Sequence, residues 1–200
     1  MYFCSLLNGI NGSVKPNLLQ NINSNTVTYG KNELIELPEN KTGIVVKGTV
    51  YITYTDEDGR RTIAEILFEN DLIGNNILVP SENYIISKSK TQILFFDMDK
   101  VFEAKNKRLC DNLHSLLISA SNRRLERINI LSKKTTEKKL SFYFNALSKK
   151  QKNKKIVIPV SYSDLADFLS VDRASMMREM SKMQKDGKIS VNKKEVELLY

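Results

Sequence analysis

Residues 161–188 read SYSDLADFLSVDRASMMREMSKMQKDGK, and their spacing decides how the rest of the chain is organised. Ser161 followed three residues later by Asp164 has the form of a helix-capping pair, since a cap hydroxyl can accept from a free amide of the first turn. Leu165, Phe168 and Leu169 recur at short helical intervals, which predicts a short helix with one buried face. Ser170 and Val171 leave room only for a tight connection before Asp172, a second cap, and the helix it opens should end at Asp186 and Gly187. Two short helices joined by so brief a turn form the helix-turn-helix pattern. At about 100° per residue, Met176, Met180 and Met183 share one arc and are expected to pack inward. Ala174, Arg178, Ser181 and Lys185 fall on the opposite face, with Arg173 on its flank near the N-terminal end.

That outward face is small, polar and cationic, which suits the major groove of duplex DNA. Arg178 can offer a bidentate fork to guanine and Ser181 a hydroxyl, while Arg173 and Lys185 supply charge to phosphates. The candidate DNA-contacting residues of this helix are therefore Arg173, Ala174, Met177, Arg178, Ser181 and Lys185. After Gly187, Ile189 to Val191 and Val196 to Leu199 flank Asn192, Lys193 and Lys194, a hairpin with lysines at its tip that would serve as a wing touching phosphate. An ordinary helical subdomain with a basic solvated face shares these local features.

Working towards the N-terminus, Ile156 to Val160 suits a short strand, and Ser148 to Lys155, with five lysines and no acid, suits an exposed loop. Leu140, Tyr143, Phe144 and Leu147 mark an amphipathic helix, which the polar stretch Ser132 to Thr136 separates from a longer one. Val101 to Leu131 contains no glycine or proline and reads as one helix of about 45 Å. Its apolar stripe of Leu109, Leu113, Leu116 and Ala120 is diluted by Arg123, Arg124 and Arg127 before Ile128 and Leu131 resume it. So long a stripe is expected to pair with the same helix of a second subunit, which makes those four residues the candidate dimer interface. The other reading packs the stripe on the chain's own N-terminal domain.

From Asn25 to Met98 the pattern is β-like. Thr42 to Tyr54 reads as a strand, Asp56 to Gly59 as the turn of a hairpin with Arg61 to Leu67, and Tyr84 to Lys88 and Gln92 to Phe96 as further strands. The fold class is thus α+β, an N-terminal antiparallel β-roll or barrel (residues 1–99), a long dimerisation helix (100–132) and a C-terminal winged helix-turn-helix (133–200). Residues 1–99 hold 8 basic and 12 acidic side chains, net −4, and residues 100–200 hold 23 and 11, net +12. The whole +8 excess lies in the half expected to meet a polyanion, although a lysine-rich solvated surface would give the same balance.

The element order resembles that of the cyclic-AMP receptor protein and fumarate-nitrate regulator (Crp/Fnr) superfamily of bacterial transcription regulators. Ile158-Pro159, the run Asp164 to Arg173, Arg178-Glu179 and Gly187-Lys188-Ile189 resemble that family's DNA-binding signature. Gly48 and Asn70-Asp71-Leu72-Ile73-Gly74 are similar to turns of its cyclic-nucleotide-binding-like jelly roll. The resemblance implies that Arg178 reads guanine and that Arg173 contacts backbone or base. Ala174 departs from the glutamate many members carry, removing an acceptor for cytosine N4, so a different operator is expected. Cyclic-nucleotide binders follow the roll glycine with a glutamate and later an arginine. Here Asn75 and Asn76 follow Gly74, and no arginine occurs between Arg61 and Arg108, leaving only Lys88 or Lys90 to meet a phosphate. Cyclic nucleotide is therefore not the expected effector, and another small molecule, or none, occupies the roll.

Two cysteines, Cys4 and Cys110, are too few for a disulfide framework and unlike a zinc or iron-sulfur ligand set. The single histidine, His114, is expected to be structural, so neither metal nor haem is anticipated. No glycine-rich phosphate loop or nucleophile-base pair is evident, and the chain is not expected to be an enzyme. The segment Met1 to Leu7 lacks a basic leader and cleavage site and no apolar run reaches about 20 residues, so the protein is expected in the cytoplasm. The expected partners are double-stranded DNA, a second copy of the chain and, for an activator, RNA polymerase. The alternative is a ligand-binding regulatory module that acts on a protein partner without specific DNA binding.

Overall fold

The computed structural model describes residues 4–55, 61–74 and 84–200. The chain divides into two compact units, Met1–Arg124 and Leu125–Tyr200. In the first unit a single 3-10 turn, Ser5–Leu7, precedes α1 (Lys15–Asn21), and then come β1 (Asn25–Tyr29), β2 (Lys41–Lys47), β3 (Val50–Thr55), β4 (Arg61–Leu67), β5 (Leu72–Gly74), β6 (Tyr84–Ser87) and β7 (Thr91–Asp97). These strands form two antiparallel sheets ordered β1-β7-β2-β5 and β4-β3-β6, the expected β-roll. Phe95, Phe96, Ile44, Ile73, Ile93 and Leu67 are fully buried in its core. Helix α1 was not legible in the sequence; it starts around Pro16, whose fixed φ suits a first turn.

The sequence reading made Thr42 to Tyr54 one strand, but the structure breaks it at Gly48 and sends its halves to different sheets. Gly48 sits at φ +100, and a Cβ there would meet Thr91 Oγ1 at 2.5 Å and the Lys90 carbonyl at 2.8 Å. The roll can turn this corner only where no side chain intervenes. β3 and β4 pair as the expected hairpin from Val50↔Leu67 to Thr55↔Arg61, while its turn at Asp56 to Gly59 lies outside the described residues. Gly43 is tight for a different reason, since a Cβ would stand 2.8 Å from methyl groups of both Ile73 and Ile93. Gly43→Ala is therefore expected to destabilise the first unit by about 1–3 kcal/mol through overpacking, read as a lower midpoint in thermal denaturation.

The single helix expected from Val101 to Leu131 is two, α2 (Met98–Glu103) and α3 (Lys107–Leu131). Lys105 adopts a left-handed φ of 50° between them, and Asn106 Oδ1 accepts from the Leu109 amide at 3.0 Å to start α3 afresh. A lysine carries no sequence signal for that conformation. The stripe on α3 also departs from the dimer assignment. Leu109, Leu113, Leu116 and Ala120 are all buried in the first unit's own core with Leu6, Ile22 and Val101, so this face is covered within the protomer. The apolar side chains that α3 leaves exposed are Ile118, Leu125, Ile128 and Leu131. His114 is exposed on the same helix, not packed as expected. The buried stripe is flanked by ion pairs, Arg123 Nη1 to Asp71 Oδ1 at 2.7 Å and Arg124 Nε to Glu65 Oε1 at 2.6 Å.

The second unit contains the end of α3, then α4 (Thr136–Gln151), β8 (Lys155–Val157), α5 (Tyr162–Leu169), α6 (Arg173–Lys185), β9 (Ile189–Asn192) and β10 (Glu195–Leu198). Thr135 caps α4 by accepting from the Lys138 amide at 3.2 Å, and Leu140, Tyr143 and Phe144 form its buried face. The lysine-rich stretch begins as helix rather than loop, because α4 continues to Gln151 before Lys152 turns left-handed. Gln151 then protects the edge of the sheet β8-β10-β9: its amide nitrogen donates to the Val157 carbonyl at 2.8 Å and its oxygen accepts from the Val157 amide at 2.9 Å. Among the described residues, no helix is long and apolar enough to cross a membrane, and no group of three or more His, Cys, Asp or Glu side chains could hold a metal ion. Cys4 and Cys110 are free thiols.

Candidate nucleic-acid interface

The two helices of the expected motif begin on the caps read from the sequence. Ser161 Oγ accepts from the Asp164 amide at 3.1 Å and donates to its carboxylate at 2.7 Å, opening α5. Ser170 takes a left-handed φ of 50° at the end of α5, with the Ser170 amide donating to Asp167 and the Val171 amide to Ala166. Asp172 Oδ1 accepts from the Ser175 amide at 2.8 Å and opens α6. Asp172→Ala should lower stability by about 1 kcal/mol, whereas Asn, an equally good cap, should leave the thermal midpoint nearly unchanged. A midpoint unaffected by alanine would show that tertiary packing alone holds this end of α6.

α6 packs against α4, α5 and β9, burying Met176, Met180 and Met183 to within 2% exposure. Arg173, Ala174, Arg178, Ser181 and Lys185 are exposed and Met177 is half-buried beside them. Arg178 extends towards the helix N-terminus, where its Nη2 donates to Ser175 Oγ at 3.3 Å, and Ser181 Oγ donates back to the Met177 carbonyl at 3.0 Å. Met177, Arg178, Ser181, Lys182, Lys185 and Asp186 line an open concavity of about 450 Å³. All six belong to α6 or its C-cap, so no second wall encloses a small molecule. The surface instead presents side chains that can enter a groove.

β9 and β10 form the expected wing, with Lys193 and Lys194 exposed at its tip and Lys193 at φ 54°. The tip is anchored to the rest of the unit. The Tyr162 hydroxyl donates to the Lys193 carbonyl, and the Ile158 amide donates to the Lys194 carbonyl at 2.8 Å. Burial pushes the Tyr162 phenol above its ordinary pKa, keeping it a neutral donor. At the base of the wing Lys188 pairs with Glu137 of α4; their hydrogen bond, then their mutual charge, holds the Glu137 carboxyl below the ordinary carboxylate range. Sequence reasoning missed Tyr162 and Ser175 as supports, since neither residue type marks its partner at a distance.

Residues 138–199 match the family model of the Crp-like helix-turn-helix domain. The second unit is therefore similar to a Crp-like helix-turn-helix domain. Solved structures extend the likeness over the whole chain. A CooA variant from Carboxydothermus hydrogenoformans shares 18% identity over 100% of this chain and 92% of its own, with a TM-score of 0.77. A cyclic nucleotide-binding domain containing protein from Listeria monocytogenes shares 14% over 92% and 96%, with a TM-score of 0.76. CLP, the c-di-GMP responsive global regulator of Xanthomonas campestris, shares 17% over 94% and 99%, with a TM-score of 0.65. At such identities the likeness is one of fold, and it agrees with the α+β order of β-roll, long helix and helix-turn-helix expected from the sequence. No curated protein is similar enough in sequence to match the chain.

Proposed function

We propose that this Crp-like protein is a sequence-specific transcription regulator that acts as a homodimer on a roughly palindromic operator. Residues 133–200 read DNA, residues 100–132 carry the dimer contact, and the β-roll of residues 1–99 is the regulatory part. The observation that carries the reading is the outer face of α6, where Arg173, Arg178, Ser181 and Lys185 stand exposed above a fully buried methionine face. Arg178 reads a guanine edge, Ala174, Met177 and Ser181 approach neighbouring bases, and Arg173, Lys185, Lys193 and Lys194 meet phosphates.

The dimer contact runs along the outer side of α3. Ile118, Ser121, Leu125 and Ile128 are exposed and follow the alternating three- and four-residue steps of a coiled-coil seam. They replace the buried stripe that the sequence suggested. In the roll we propose no cyclic-nucleotide site. Asn75 and Asn76 lie outside the described residues, but Lys88, a candidate phosphate partner, has its ammonium 5.0 Å over the Tyr51 ring. Another small effector and, for an activator, RNA polymerase are the remaining proposed partners. Selecting bound sequences from a random duplex pool with purified protein tests the function. A two-fold-symmetric enriched site is expected, and enrichment of none by a dimeric protein, with or without candidate effectors, would overturn it.

A further inference from the structure

The last turns of α3 belong to the second unit and carry Arg127, a charged side chain only 8% exposed. Its guanidinium lies 4.4 Å over the Phe168 ring of α5, and its Nη2 donates to Ser170 Oγ at 3.3 Å. Ser170 is the left-handed residue between α5 and α6, two positions before the cap of the recognition helix. From α4, Lys139 Nζ donates to the carbonyls of Leu169 at 2.9 Å and Ser170 at 3.3 Å. Burial, then the neighbouring Arg127 charge, pushes the Lys139 ammonium below its ordinary pKa. Phe168 is braced in turn by an edge contact to Tyr143 at 6.1 Å between ring centroids. Two cations thus grip the C-terminal end of α5, where the outward carbonyls favour positive charge.

The direction of Arg127 on α3 gives this grip a further consequence. By helical periodicity Arg127 points away from Leu125 and Ile128, which lie beside it on the same turns of the helix. One face of α3 is therefore free for a second subunit while the opposite face holds the turn from which α6 starts. We propose that Arg127 is a positioning residue that sets the register between the dimer helix and the recognition helix, and thereby the half-site spacing the dimer accepts. The proposal rests on the dimeric DNA-reading function above. Arg127 touches no base; it acts through Phe168 and Ser170.

The test uses the full chain, the palindrome it selects, and duplexes with one base pair inserted or removed between the half-sites, which rotates one half-site by about 35°. The wild-type protein is expected to prefer the selected spacing by at least about tenfold, and Arg127→Ala to reduce that preference to under about threefold. Dimer mass and affinity for random duplex should not change. Arg127→Lys keeps a cation over Phe168 without the fork and should fall between them, and it decides the question by the same ratio if the alanine variant does not fold. Lys139→Met loosens the same turn without touching α3, and should therefore retain more of the spacing preference than Arg127→Ala. An Arg127→Ala dimer that retains tenfold spacing preference overturns the proposal while leaving the DNA-reading function intact. Equal loss in the Arg127 and Lys139 variants overturns it too, since the turn would then need only general support. If the wild-type chain selects no palindrome, the underlying function fails and this proposal falls with it.

Discussion

Arg178→Ala is expected to flatten base preference at one position of each half-site while leaving affinity for random duplex almost unchanged. The side chain is exposed, and among the described residues it hydrogen-bonds to Ser175, one turn away on the same helix, so truncation removes no core contact. An exposed helical Arg→Ala change has little effect on helix propensity, and the thermal midpoint should stay within a few degrees. Losing a bidentate fork to guanine should cost about 1–3 kcal/mol at the correct base pair and nothing at the wrong ones. Phosphate contacts from the other cations persist, so the slope of log affinity against log salt should fall by no more than about one. Arg178→Lys separates charge from recognition, because an ammonium preserves the charge but cannot present the planar fork. Competition between the selected operator and single-base variants measures the effect. Equal preference before and after Arg178→Ala would remove this residue from base recognition.

Leu125→Glu combined with Ile128→Glu should dissociate the dimer without unfolding the protomer. Both side chains are more than half exposed in the single chain, at 54% and 62%, so their replacement empties no core. In a paired α3 seam the same positions would be buried, and the double variant brings four carboxylates together across the two-fold axis. Lost apolar burial at about 1.5–3 kcal/mol per fully covered side chain, together with carboxylate desolvation, should weaken association more than a hundredfold. Light scattering would then report a monomer with an unchanged far-ultraviolet spectrum, and binding to the palindrome should collapse to the level of a half-site. A double variant that stays dimeric would place the subunit contact elsewhere on the molecule.

The two units differed in how openly their sequences announced them. In the second unit almost every feature that orients α6 is local. Ser161 and Asp172 bond three residues ahead, Gly187 stands at φ +67 where the helix ends, and the methionine face repeats at helical spacing. Signals spanning three or four residues survive in a bare sequence, so both helices and the exposed face holding Arg173, Arg178, Ser181 and Lys185 are legible there. Even here the wing's support was hidden, since the Tyr162 hydroxyl reaches Lys193 across 31 residues.

Less of the first unit was legible. Its strands were evident from alternation, yet Lys105 broke the predicted helix with a conformation its residue type does not advertise, and α1 carried no clear periodic signal. α3 shows the limit best. Apolar spacing correctly marked Leu109, Leu113, Leu116 and Ala120 as a face that water must leave, but spacing is silent about which surface does the covering. The more apolar stripe was assigned to a second subunit; in the folded chain the first unit's core fills it, and the less continuous line of Ile118, Leu125 and Ile128 remains exposed. Arg127, read as a dilution of the stripe, is instead a buried grip on the helix-turn-helix. The sequence by itself determined the elements, their caps and the reading face, because those depend on neighbours within a turn or two. Only the tertiary structure decided which face of α3 is spent on the protomer and which charge is buried, because burial is a property of surfaces brought together from distant parts of the chain.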